Sequence, residues 1–458
     1  MMTPRARTLS PWAWVLPIGI GSGVAFGHPL ATSFAVGVAV TSVFASKYFK
    51  VRETLHDGLS PHLARRTMGL PLLGISTAVL YLIPNRAAFL SFGSVAGVLR
   101  LSTIPILLAL AVALPFLHRR PGLDRGYLFL GLSGLFLVFV GASVGMIGEA
   151  RSDFLLGDTW KLALSCGILI LRGPTPVHAR RILFSAGAIA VLVDGVWLLN
   201  YVYSLLQGSY TRAGGGSVLT VAAGVALLYS RRRAHELWGL VVVGGGLLVA
   251  VLSLSRGTTL AAVVACVPIV WAPISPRWKT ALPMVMIGVG LIAVQELPDQ
   301  VLNPIGERFS FGERDEVLQQ GSFVSRGGEI GDVMATIRTD PVVAVIGAGS
   351  GAELDRPSLG IRDHQIHVTP YSVLFRHGFI GLAWVTLLYG SLLARSTGVL
   401  RRVPRRVSQV EVMAASLILG TLVLSLSTYV LIGQPLVFLA AIAIGRSNNS
   451  SIPEGQLQ

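Results

Sequence analysis

Apolar runs of near-membrane-spanning length, parted by short basic segments, recur along the whole chain. About fourteen are visible: 12–27, 30–46, 68–84, 101–117, 126–147, 160–172, 182–204, 217–230, 237–254, 258–274, 281–297, 370–394, 410–429 and 434–445. In lipid every backbone amide must be satisfied within the segment, which for runs of this length means helix. A hydrocarbon core of about 30 Å takes about 20 residues of helix. Several runs are shorter, so the count is 12–14 with a re-entrant or fused pair. The expected fold is an all-α integral membrane protein with about 12–14 transmembrane helices and one large, partly helical outer loop. Composition agrees: 52% of residues are hydrophobic and 13% charged, with a mean hydropathy of +0.68.

A net charge of +15 invites a nucleic-acid reading, but its distribution gives another answer. With the N-terminus inside, the inner segments hold 24 of the 37 basic residues, clustered as at Arg231, Arg232, Arg233 and at Arg401, Arg402, Arg405, Arg406. Short basic loops on one side are what the positive-inside rule requires. The charge is topology, and no nucleic-acid partner is expected. Cys166 and Cys266 both lie in apolar runs, so neither a disulfide framework nor a zinc site is offered. The first apolar run leads straight into a second, unlike a cleavable signal peptide.

This orientation divides the chain into a transmembrane bundle over 1–297, an extracytoplasmic loop domain over 298–369, C-terminal transmembrane helices over 370–446 and a polar cytoplasmic tail over 447–458. The segment 298–370 holds eleven of the 22 acidic residues. A structureless loop of that length is uncommon in a compact protein, so a folded, functional element is expected. Within it, 325–338 reads as an amphipathic helix with Ile330, Val333, Met334 and Ile337 on one face. Asp340–Pro341 should end it.

Three stretches carry chemistry. Ser255–Arg256–Gly257 closes an apolar run at the outer face, where a cation costs free energy unless it snorkels or grips an anion. The glycine-rich 347–351 (GAGSG) reads as a turn or as an anion-cradling nest of amides. The stretch 363–382 supplies His364, His367 and His377, side chains suited to proton transfer near neutral pH. Taken singly, Arg256 reads as a snorkelling residue and His367 as an interfacial histidine. Arg338 reads as a charge complementing a helix C-terminus. His364 and His367 form an HxxH pair near Asp363 that could ligate a metal, but no third clear ligand accompanies them.

The three stretches in order resemble the O-antigen ligase and O-antigen polymerase superfamily of membrane glycosyltransferases. The matching residues are Ser255, Arg256 and Gly257; Arg326, Asp340, Pro341, Gly347 and Gly349; and His367, Gly378, Gly381 and Leu382, all within about 250–385. Two positions depart from the family pattern, which has Asn after the histidine and an acid two before the glycine. Here they are Val368 and Arg376, which leaves His364 and His377 as rivals to His367.

The resemblance implies a GT-C-like membrane enzyme of the cytoplasmic membrane with its active site on the extracytoplasmic face. Its donor would be a glycan on a polyprenyl diphosphate, and its acceptor a hydroxyl of another glycan or of a lipid anchor. Arg256 and Arg326 would bind the diphosphate, since a guanidinium fork pairs phosphate oxygens. His367 would be the general base of an inverting displacement. Ser255, Gly347, Gly349, Arg338, His364 and Tyr371 are candidates for substrate binding. Neither cofactor nor metal is expected. Ligase and polymerase share this donor chemistry, and both remain open. A transporter or flippase of lipid-linked sugars is the alternative, although no internal repeat of the transporter kind is visible. An intramembrane serine protease is suggested only by 141–145 (GASVG); that chemistry needs a partner base at the same depth, yet the clearest apolar helices contain no histidine, and small residues there serve close packing.

Overall fold

The computed structural model describes residues 74, 78, 125–150, 152–170, 176–206, 216–230, 233–253, 255–272, 323–357, 361–364, 366–401, 407–426 and 434–447. The expected spans at 12–27, 30–46, 101–117 and 281–297 lie outside them, as does 68–84 apart from Gly74 and Ala78. The described elements are α1 (Arg125–Ile147), α2 (Ser152–Ile170), α3 (Pro176–Leu206), α4 (Ser217–Leu228), α5 (Arg233–Leu252), α6 (Arg256–Ala265), a 3₁₀ turn (Val267–Trp271), α7 (Phe323–Thr339), α8 (Pro341–Ile346), β1 (Leu354–Arg356), β2 (Ile361–Asp363), α9 (Thr369–Leu400), α10 (Gln409–Ser425) and α11 (Pro435–Ser447). Among the described residues, four helical stretches are long and apolar enough to cross a membrane: Arg125–Ile147, Ala179–Leu199, Ala234–Leu252 and Thr369–Leu400.

The helix bundle is built inward from its shortest members. α4 buries nearly every residue from Ser217 to Leu228, and α10 nearly every one from Val410 to Ser425. A helix apolar on all sides belongs inside, and these two pack on each other. α6 and α11 flank α10, α5 covers α4, and α1 and α2 pair at another edge. A capping box at Ser408–Glu411 starts α10. Tyr127 donates to the Ala441 carbonyl, and Trp384 to the Leu130 carbonyl, tying α1 to α11 and α9.

Several expected spans change shape. The run read as 160–172 belongs to a helix that begins at Ser152, because its first turns are polar and hydropathy does not register them. The run read as 258–274 is not one helix: α6 stops at Ala265 and a 3₁₀ turn containing Pro268 follows. A proline there cannot donate to the preceding turn. The run 370–394 extends over Thr369–Leu400 and breaks at Gly378, whose φ of 61° leaves the helical region.

A smaller unit, carried by α7, α8 and the β hairpin, sits on the start of α9. Its core joins Val333, Ile337, Leu354, Ile366, Leu374 and Phe375, with Met334 packed against it. Val333, Met334 and Ile337 of the expected face are in it, while Ile330 is half-buried outside the cluster. β1 and β2 pair antiparallel, setting Leu354 opposite Asp363 and Arg356 opposite Ile361. Asp340 ends α7 and also opens α8, its carboxylate accepting from the Val342 and Val343 amides.

Candidate functional site

The turn 347–351 fastens the small unit to the bundle. Gly347, Gly349 and Gly351 have φ of 84°, 92° and 79°, a region that favours glycine. Its amides are all engaged. Ala348 donates to the Phe375 carbonyl (2.7 Å), Gly349 to that of Arg376 (3.2 Å) and Ser350 to that of Gly141 (2.8 Å). Gly351 donates to Asp158 Oδ2 at 3.0 Å. The Gly347 amide is spent on the Val343 carbonyl. In this geometry Gly347 and Gly349 form a turn, and the anion it holds is the protein's own carboxylate.

The helical wall beneath is the GASVG stretch of α1. A Cβ on Gly145 would collide with the Ser350 carbonyl, and one on Gly141 would lie 2.5 Å from His377 Cε1. The Ser143 hydroxyl donates to the Phe139 carbonyl of its own helix. The two glycines admit the turn.

Asp158 on α2 organises one cluster. It is nearly buried, with Arg376 Nε at 3.0 Å and His364 Nε2 at 3.5 Å. Arg376 also donates to Ser372 Oγ (2.8 Å) and to the His364 carbonyl (2.6 Å). The Phe154 ring stacks on the His364 imidazole at 4.1 Å. Burial pushes the Asp158 pKa upward, but the Arg376 guanidinium, helped by His364 and the Gly351 amide, holds it below the ordinary 3.8. His364 is therefore enclosed and committed. His377 is buried against Gly141, and Gly381 lies beneath its Cβ.

Glu329 on α7 organises a second cluster, and here His367 differs from its neighbours. The His367 amide donates to Glu329 Oε1 at 2.6 Å, and its Nδ1 lies 3.0 Å from Oε2. Glu329 is 1% exposed and the His367 side chain 46%. A carboxylate on Nδ1 fixes the Nδ1–H tautomer and leaves the Nε2 lone pair as the basic site. Arg356, buried, has Nη1 3.7 Å from Glu329 Oε2 and 3.7 Å from Asp363 Oδ2, with Asp332 at 4.0 Å from its Nε. One buried cation thus lies within 4.0 Å of three carboxylates. The two histidines of the HxxH pair turn to different carboxylates, and among the described residues no group of three metal-ligating side chains occurs.

The other expected residues divide between the small unit and the bundle. Tyr371 is half-buried against the small core. Arg338 is exposed in the last turn of α7, where a cation complements the helix dipole. Ser255 is the N-cap of α6 and accepts from the Thr258 amide at 3.3 Å. Arg256 and Arg326 stand in the first turns of α6 and α7, while their side chains lie outside the described residues. Asp158, Glu329 and Arg356 are not legible in the sequence, since their partners are 24 or more residues away or on the neighbouring strand.

No family model and no curated protein matches the chain.

Proposed function

We propose that the chain is a membrane glycosyltransferase, moving a glycan from a polyprenyl diphosphate onto an acceptor hydroxyl at the extracytoplasmic face. The observation that carries this reading is the Glu329–His367 pair. A buried carboxylate orients a half-exposed imidazole, the arrangement a general base requires. As the acceptor oxygen attacks the anomeric carbon, its proton passes to His367 Nε2. The bond from that carbon to the diphosphate oxygen breaks, and its electron pair leaves with the lipid diphosphate. Attack opposite the leaving group inverts the anomeric centre. Glu329 stabilises the imidazolium formed in that step, while Arg356 keeps Glu329 from being an isolated buried charge.

Arg256 and Arg326 are the proposed partners of the diphosphate, one at the start of α6 and one at the start of α7. The basic residues alternate along the chain so that the small unit falls on the side opposite the basic loops. The enclosure of His364 by Phe154, Asp158 and Arg376 favours His367 as the base. Transfer from a purified polyprenyl-diphosphate-linked glycan, measured with a chelator present, tests the assignment. His367→Ala should lose about 10²–10⁴-fold. His364→Ala should retain transfer per folded molecule. A dead His364→Ala beside an active His367→Ala would overturn it. Arg256→Lys should keep only a small fraction of activity, since it keeps the charge and loses the fork.

A further inference from the structure

α8 has the sequence PVVAVI, without a polar side chain, and none of its residues is buried. Val342 and Val345 are 62% and 52% exposed. That is anomalous in a unit otherwise rich in charge. The helix lies against α9 at its break, where a Cβ on Gly378 would collide with the Val345 carbonyl. Directly beyond the break α9 exposes Phe379 and Ile380, and further along the same helix Leu387 and Leu393. The exposed valines of α8 thus stand beside a helix long and apolar enough to cross a membrane.

The amides that open α8 are also provided for. Pro341 has no amide hydrogen, and Asp340 Oδ1 accepts from Val342 (2.8 Å) and Val343 (3.1 Å). Ala344 donates to the Asp340 carbonyl and Gly347 to that of Val343. The first amides of the helix, those no ordinary helical bond can satisfy, need no water, which removes one cost of lying in lipid. The polar Arg338, Thr339 and Asp340, all exposed, stand at its entrance, where headgroups would meet them.

We infer that α8 is an interfacial anchor, seated among the acyl chains of the outer leaflet beside α9. It fixes the height of the small unit above the bilayer, since α7, which carries Glu329, joins α8 through Asp340 alone. The inference rests on the membrane reading above. It does not depend on the transfer chemistry.

The test is nitroxide accessibility in vesicles of phosphatidylethanolamine and phosphatidylglycerol, with labels at Val342→Cys, Val345→Cys and Leu387→Cys, each in a chain lacking Cys166 and Cys266. Oxygen partitions into lipid and a neutral nickel chelate into water. At Val342 and Val345 oxygen should be the stronger relaxant by several-fold, as at Leu387. A stronger nickel effect at both valines with an oxygen signature at Leu387 would overturn the anchor and leave the membrane reading standing. Low accessibility to both reagents would show that protein covers α8, and would also overturn it. A nickel signature at Leu387 would overturn the membrane reading and the anchor together. Two label positions guard against one that disturbs folding.

Discussion

Glu329 and His367 are 38 residues apart, and their pairing depends on α7 lying across the start of α9. The carboxylate has two oxygens and uses both, one on the His367 amide and one on Nδ1. Glu329→Gln keeps the shape and loses the charge that favours the imidazolium. Transfer should fall below wild type, and adding the change to His367→Ala should cost little more, because the two residues act as one unit. Additive losses in that cycle would mean Glu329 acts elsewhere. Asp158 makes a different kind of contribution, joining α2 to α9 through Arg376 and to the 347–351 turn through Gly351. Removing one partner of a buried ion pair costs about 3–5 kcal/mol, so Asp158→Asn should lower the melting temperature in detergent. Because its folded pKa lies below 3.8, its contribution is present above that value and is lost as pH falls through the folded pKa. Melts of the wild type should therefore weaken as pH drops below about 4, and those of Asp158→Asn should weaken less.

At the scale of elements, close approach governs how the small unit meets the bundle. Gly145→Ala would press a methyl group onto the Ser350 carbonyl. Overpacking of this kind costs about 1–3 kcal/mol, so the variant should melt earlier and be nicked faster by protease within 323–364. Gly148→Ala, just past α1, whose added methyl meets only the Val144 and Gly145 carbonyls at 3.4 Å and beyond, should stay within about 0.5 kcal/mol of wild type. Equal sensitivity at both positions would contradict the docking role of Gly145. The period of Ile330, Val333, Met334 and Ile337 made α7 legible in the sequence, since an amphipathic helix advertises its buried face. The first turns of α2 were not legible, because Asp158 is satisfied by residues almost two hundred positions away. Pro268 could have signalled the end of α6 and was read through as part of an apolar run. The GASVG stretch showed that something packs closely there without showing that the partner is a turn. The glycines of 347–351 revealed their turn but not where their amides are spent.

In the whole molecule two parts differ in composition. Short apolar helices fill a bundle, and a small charged unit holds the basic site on one side of it. Glu353 on the small unit and Arg401 just beyond α9 are both exposed. In a chain lacking Cys166 and Cys266, Glu353→Cys should react with an impermeant thiol reagent in intact cells, and Arg401→Cys only after permeabilisation. Labelling of both from one side would undo the topology. In the proposed transfer from a lipid diphosphate, His367 takes the acceptor proton. The most direct measurement follows both products from purified protein, the lengthened glycan and the freed polyprenyl diphosphate, in wild type and His367→Ala. Wild type should release the two in equal amounts with inverted anomeric configuration, while His367→Ala still binds donor lipid but forms neither above about one hundredth of the wild-type rate. Wild-type protein that binds the donor and forms neither product, or His367→Ala forming both at the wild-type rate, would contradict it.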